Sequence, residues 1–181
     1  MALKATIHKV ELTVSDLDRG YYATHALTVA LHPSETEARM MLRLMAFALH
    51  ADEALTFTRG ISSTDEPDLW QHHPDGTVAH WIELGQPDEK RLRKACGLAR
   101  TVTIYCYGRQ GPRLWRENQA QVLARFDNLA VRHVDEASEH ALAALIHRQM
   151  RLNALIQDGQ LWLGDDKHNV AVALEDWKVA R

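Results

Sequence analysis

Apolar positions along the chain change period several times, and each change marks an element. Val10, Leu12 and Val14 alternate with Lys9, Glu11 and Thr13, the two-residue period of a strand with one buried face. A strand is expected over residues 5–14. After a turn at residues 15–20, residues 21–31 read as its return, so the chain opens with a β-hairpin. The period then becomes helical. Ser34 is expected as an N-cap, with Glu37 closing a capping box, and the helix should run to about His50. Residues 40–49 are apolar except for Arg43, so this helix should be covered on several sides. Glu35, Arg39 and Arg43 fall at i, i+4 and i+8. That stripe reads either as a solvated seam tied by an i,i+4 pair or as the wall of a cleft.

Residues 54–62 are expected as a strand leading into a second hairpin. Its first strand begins near Asp68, its turn is His73-Pro74-Asp75-Gly76, and its return covers residues 77–84. Proline presets φ and glycine supplies φ > 0, so Pro-Asp-Gly reverses a chain readily. Beyond it, Pro87-Asp88-Glu89 starts a helix to about Leu98. Residues 101–107 form an apolar run of the kind buried on both faces of a sheet. Residues 112–125 read as a helix and 129–134 as a strand, so alternation implies parallel pairing. A helix is expected over 135–150. The end is all β: 152–157, the Asp158-Gly159 turn, 161–163 and 170–174. The sum is one domain, residues 1–181, of mixed α/β class.

Composition narrows the function classes. Formal net charge is −3 with His neutral, which argues against gripping nucleic acid by bulk charge but leaves room for a local basic groove. The two cysteines, Cys96 and Cys106, lack CxxC spacing and read as buried free thiols, which fits a reducing cytoplasm. No apolar run approaches the roughly 18 residues of a membrane span, and no signal peptide opens the chain. Trp70, Trp81, Trp115 and Trp162 read as core rather than as stacking platforms. His72, His73 and His80 are close enough in the hairpin to meet a metal, but a solvated turn is the simpler reading and the one favoured.

The hairpin carries the sharper chemistry, because it brings Asp68 near Glu83. If Asp75-Gly76 alone forms the loop, the two acids stand opposite. If all of His73–Gly76 loops out, Asp68 faces Trp81 and Glu83 is one step along the same face. A three-residue loop with a bulge leaves the facing to the bulge. Adjacent like charges destabilise a sheet, so such a pair calls for a cation, a basic partner or a shifted pKa; the alternative is two solvated edge carboxylates. Mg²⁺ or Mn²⁺ takes one or two carboxylates with water and substrate phosphate, and a nearby base stabilises phosphate charge.

The strings His32-Pro33-Ser34-Glu35-Thr36, Phe57-Thr58-Arg59-Gly60, Asp65-Glu66-Pro67, Trp81-Ile82-Glu83-Leu84-Gly85 and Ile156-Gln157-Asp158-Gly159 resemble the YaeQ family of bacterial proteins. The resemblance covers essentially the whole chain. It implies a compact variant of the restriction-endonuclease-like PD-(D/E)XK fold, a mixed sheet flanked by helices with extra β-hairpins at the termini. Pro67-Asp68 matches the Pro-Asp of that superfamily and Glu83 its second acid. Glu35 matches the acid of its first helix. By that resemblance Asp68, Glu83 and Glu35 would hold Mg²⁺ or Mn²⁺. The lysine of Glu-x-Lys should stand at 85, which is Gly85, so Lys94 or Arg91 would stabilise phosphate charge. The implied function is metal-dependent phosphodiester hydrolysis on nucleic acid; the alternative is a non-catalytic interaction or regulatory protein that keeps the fold.

Overall fold

The computed structural model describes residues 3–181. Strands β1 (Thr6–Asp16) and β2 (Tyr21–Leu31) precede helix α1 (Glu37–Leu49). Short strand β3 (Leu55–Phe57) and a 3-10 turn at Gly60–Ser62 lead to β4 (Leu69–His72) and β5 (Val78–Leu84). Then follow α2 (Glu89–Leu98), β6 (Ala99–Tyr107), α3 (Gly111–Leu123) and β7 (Leu129–Val134). The last elements are α4 (Glu136–Ala143), β8 (Gln149–Gln157), β9 (Gln160–Gly164), β10 (Asn169–Val172) and β11 (Leu174–Lys178). The class is mixed α+β, with four α-helices and two mixed sheets among the described residues.

The chain divides into two compact units, each built from two stretches of sequence. One holds the described residues up to Ala51 together with Ala137–Ala173. Its five-stranded sheet has the order β10-β9-β8-β1-β2. The terminal hairpins are therefore not appendages to a single sheet, as the sequence suggested. They make a sheet of their own, because β1 pairs in parallel with β8, Lys9 opposite Gln149. Val10, Leu12 and Val14 point inward, as do Met150, Leu152, Ala154 and Ile156. At the β8–β9 turn, Asp158 takes φ 52, and the amides of Asp158 and Gly159 donate to Asp18 at 2.8 Å each.

In α1, Met40–Ala48 are all buried, as the apolar run required. The cap differs from the expectation. Thr36 is the N-cap and accepts from the Arg39 amide at 3.1 Å, while Ser34 Oγ turns back to His32 Nδ1 at 2.6 Å. The expected helix over 135–150 stops at Ala143, and β8 begins at Gln149. The expected strand over 54–62 is only Leu55–Phe57. Thr58 ends it by donating its hydroxyl to Pro67 O and accepting from the Gly60 amide.

The second unit holds Asp52–Glu136 and Leu174–Arg181. Its sheet has the order β11-β7-β6-β5-β4-β3. β5, β6 and β7 are parallel, as the alternation of strand and helix implied. One core cluster joins Trp81, Val102, Ile104 and Val131 of the strands to Leu92, Ala95, Val122 and Leu123 of α2 and α3.

Candidate functional site

The β4–β5 hairpin adopts the third of the three registers. Trp70 faces Trp81 and Leu69 faces Ile82, while His72 faces Val78, so the ladder slips by one residue near Ala79. The loop is Pro74-Asp75-Gly76, closed by the His73 amide on Thr77 O at 2.9 Å. Beyond Leu69 the chain stays against β5. The Asp68 amide donates to Ile82 O at 3.1 Å, and Asp68 Oδ2 accepts from the Leu84 amide at 2.8 Å. Those two bonds straddle Glu83. Asp68 is 3% exposed, so it is not a solvated edge carboxylate.

Glu83 lies at the end of β5 where α2 approaches. Trp81 Nε1 donates to its Oε2 at 2.9 Å. Arg91 Nε donates to Oε1 at 2.9 Å and to Oε2 at 3.0 Å. Burial pushes the Glu83 carboxyl up; the Trp81 hydrogen bond and Arg91 pull it down, and the neighbouring Asp68 charge raises it again.

Arg91 is the cation at this pair. It sits in the first turn of α2, where Asp88 caps its amide at 2.8 Å. Its guanidinium also donates to Thr64 O and, at 2.6 Å, to Glu66 O. Its Cζ lies 5.0 Å from the Trp81 ring centroid. Lys94, the other candidate, gives its ammonium to Asp65 Oδ1 at 2.8 Å.

Glu35 belongs to the other unit and precedes the helix cap. Arg39 reaches its Oε1 at 3.1 Å, and Arg43 reaches Oε1 at 2.8 Å and Oε2 at 2.7 Å. The Glu35 and Arg43 side chains are 2% and 5% exposed. The stripe is a buried ion pair rather than a solvated seam.

The position where a lysine was missing has a physical explanation. Gly85 takes φ +109 while nothing lies within 4 Å of an added Cβ. Backbone conformation rather than space excludes a side chain there, since L-residues rarely adopt that φ.

The remaining candidates settle into structure. His80 Nε2 pairs with Thr103 Oγ1 at 2.8 Å, and burial pushes its ring down to about 4. Among the described residues no three His, Cys, Asp or Glu side chains cluster as a metal centre. Cys96 is half-buried and Cys106 buried; burial pushes their thiols up to about 11 and about 12, so neither is a reactive thiolate. No helix among the described residues is long and apolar enough to cross a membrane. The Trp81 indole as an anchor of Glu83 escaped the sequence reading, although the two sit at i and i+2 on one strand face, which was a usable signal.

The YaeQ protein family model matches residues 1–174. YaeQ of Escherichia coli (strain K12) is 44% identical over 178 residues, covering 98% of both chains, and the Salmonella typhi protein is 44% identical over the same span. The crystal structure of the YaeQ protein from Xanthomonas axonopodis pv. citri superposes with a TM-score of 0.93 at 46% identity, covering 97% of this chain and 99% of that one. The YaeQ protein from Pseudomonas syringae superposes with a TM-score of 0.92 at 35% identity, covering 97% of each. The chain belongs to the YaeQ family.

Proposed function

We propose that the Asp68–Glu83 pair is a divalent-cation site for phosphodiester hydrolysis on nucleic acid, on a compact variant of the restriction-endonuclease-like fold, in a cytoplasmic protein. The observation that carries this reading is that the Asp68 hydrogen bonds straddle Glu83. Two carboxylates thereby share the end of β5, the carboxyl edge at which parallel strands place their ligands. Like charges held together in a partly dry place are stabilised by a cation.

The donor set suits a hard ion. Mg²⁺ or Mn²⁺ takes one or two carboxylates and fills the rest of its shell with water and phosphate oxygens. Asp68 Oδ1 lies beside Gly60, where an added Cβ would make an ordinary contact at 3.5 Å. Glu83 would be the second ligand. Such an ion, when bound, polarises a phosphoryl oxygen and makes its water more acidic. The chain's own residues do the rest. The Leu84 amide fixes the Asp68 carboxylate and the Trp81 indole fixes Glu83. Arg91, rather than Lys94, stands beside the acids and supplies the positive charge that the absent Glu-x-Lys lysine would have given. Glu35 is left out of the site, because it belongs to the other compact unit.

A second reading rests on the same arginine. Arg91 already neutralises Glu83 and is tied to two backbone carbonyls, which suits a non-catalytic protein that keeps the fold. One experiment separates the two. Labelled DNA and RNA are incubated with Mg²⁺ or Mn²⁺ and the wild type, Asp68→Asn or Glu83→Gln, with Mn²⁺ binding followed by calorimetry. The first reading expects turnover and Mn²⁺ binding that both substitutions abolish. Activity that survives both substitutions, or an inert wild type that binds no Mn²⁺ at millimolar concentration, overturns it in favour of the second.

A further inference from the structure

The second unit carries a groove of about 570 Å³ between α3 and β11, lined among others by Arg116, Leu123, Asp127, Trp177, Lys178 and Arg181. That volume is in the range of small-molecule sites. Three cationic side chains and one acidic side chain line it. Trp177 is buried in its wall and stacks on His133, centroids 4.5 Å apart and planes within 4°. His133 is itself fixed by its Nε2 on Gly108 O at 2.9 Å. Arg116 lies over the Trp177 ring with Cζ 4.9 Å from the centroid.

The cations are held without being neutralised. Arg116 is exposed and has no carboxylate partner among the described residues. Stacking on an indole orients a guanidinium while leaving its five N–H donors free. Lys178 Nζ donates to Phe126 O and Leu129 O at 2.7 Å each, so the ammonium is fixed with one donor to spare. The Arg181 amide donates to Asp127 O at 2.8 Å, which anchors that end of the chain. Burial and the Arg181 charge hold Lys178 below its ordinary value, against Asp127. The Trp177 indole N–H is shielded from solvent and has no acceptor among the described residues. Cations gathered around a concavity without matching anions make a local field that an anion relieves.

We propose that this groove binds a phosphate group, borne by a free nucleotide or by a nucleic-acid strand, with Arg116, Lys178 and Arg181 as its charged ligands. Arginine forks match phosphate oxygens in pairs, and three cations suit a group with more than one negative charge better than a lone carboxylate. The proposal does not rest on the reading of Asp68 and Glu83. It also gives an acidic chain a local basic surface.

The test titrates wild type, Arg116→Ala and Arg181→Ala with inorganic phosphate, adenosine monophosphate and a labelled single-stranded oligonucleotide, by calorimetry and fluorescence anisotropy. Both arginines are exposed, so thermal melts should shift by a few degrees at most, through the lost stacking of Arg116 on Trp177. Each substitution should weaken binding about tenfold and lower the slope of log K against log salt by about one for the strand. Asp127→Asn should tighten binding. Binding of the mononucleotide identifies a free nucleotide as the ligand, and binding of the oligonucleotide alone identifies a strand. The proposal is overturned if no probe binds at millimolar concentration, or if both arginine variants bind as the wild type does.

Discussion

Replacing Arg91 with alanine would take the counter-charge from a mostly buried carboxylate. The Arg91 and Glu83 side chains are 18% and 14% exposed, so the pair is partly screened. Breaking a fully buried pair costs about 3–5 kcal/mol. Residual solvent lowers that figure, while the lost bonds to Thr64 O and Glu66 O and the stacking on Trp81 raise it. About 3 kcal/mol of lost stability is expected. Urea unfolding followed by tryptophan fluorescence measures it. The deficit should also depend on pH. Without Arg91 the Glu83 carboxyl, already raised by burial, rises further. A group whose folded pKa is raised contributes stability that is full below the unfolded value and is lost as pH climbs through the folded value. The deficit should therefore be largest at neutral pH and shrink toward about pH 4.5. Adding Glu83→Gln to Arg91→Ala should recover much of the loss, because a neutral amide needs no counter-charge. A loss below about 0.5 kcal/mol, or one equal at both pH values, refutes the reasoning.

Two further outcomes follow from the same unit. His80 is held neutral, its ring pushed from 6.5 to about 4. The unfolded chain therefore takes the proton first, and stability should fall by up to about 3 kcal/mol as pH drops from about 6.5 to about 4; His80→Gln should flatten that part of a urea-unfolding pH series, and an unchanged slope would assign it elsewhere. Gly85→Ala should cost about 1–2 kcal/mol in thermal unfolding through backbone strain alone, and Gly85→Lys at least as much; a neutral alanine variant would contradict the account of the missing lysine.

The local signals were legible in the sequence. Alternation gave β1, the Pro-Asp-Gly motif gave the β4–β5 turn, and the apolar run gave the buried helix α1. The register stayed open because the slip near Ala79 leaves no mark in side-chain type. The first two residues of β8 were absorbed into a helix because Gln149 and Met150 favour helices, whereas pairing with β1 decided the matter. That pairing joins segments too distant in sequence for any local pattern to report. Arg91 was legible as a cation near the acids. Its bonds to Glu83, Thr64 and Glu66 depend on how α2 docks, which no local pattern encodes. The α3–β11 groove was invisible for the same reason, since Arg116 and Arg181 meet only through the fold.

The two units are interleaved along the chain, and that has a consequence for synthesis. β1 and β2 leave the ribosome early, yet the partner of β1, β8, emerges only after all of β3–β7 has been made. The inner edge of β1 must wait unpaired through that interval. Lys9 and Glu11 on the waiting strand carry the kind of charge that discourages an open edge from pairing with another nascent chain. The unit built from Asp52 onward can assemble its parallel strands as they appear, but its outermost strand, β11, is translated only after β8–β10 of the other unit. The first unit closes only once β8–β10 are made and the second only once β11 is, so the pace of folding is set by closures across long stretches of chain.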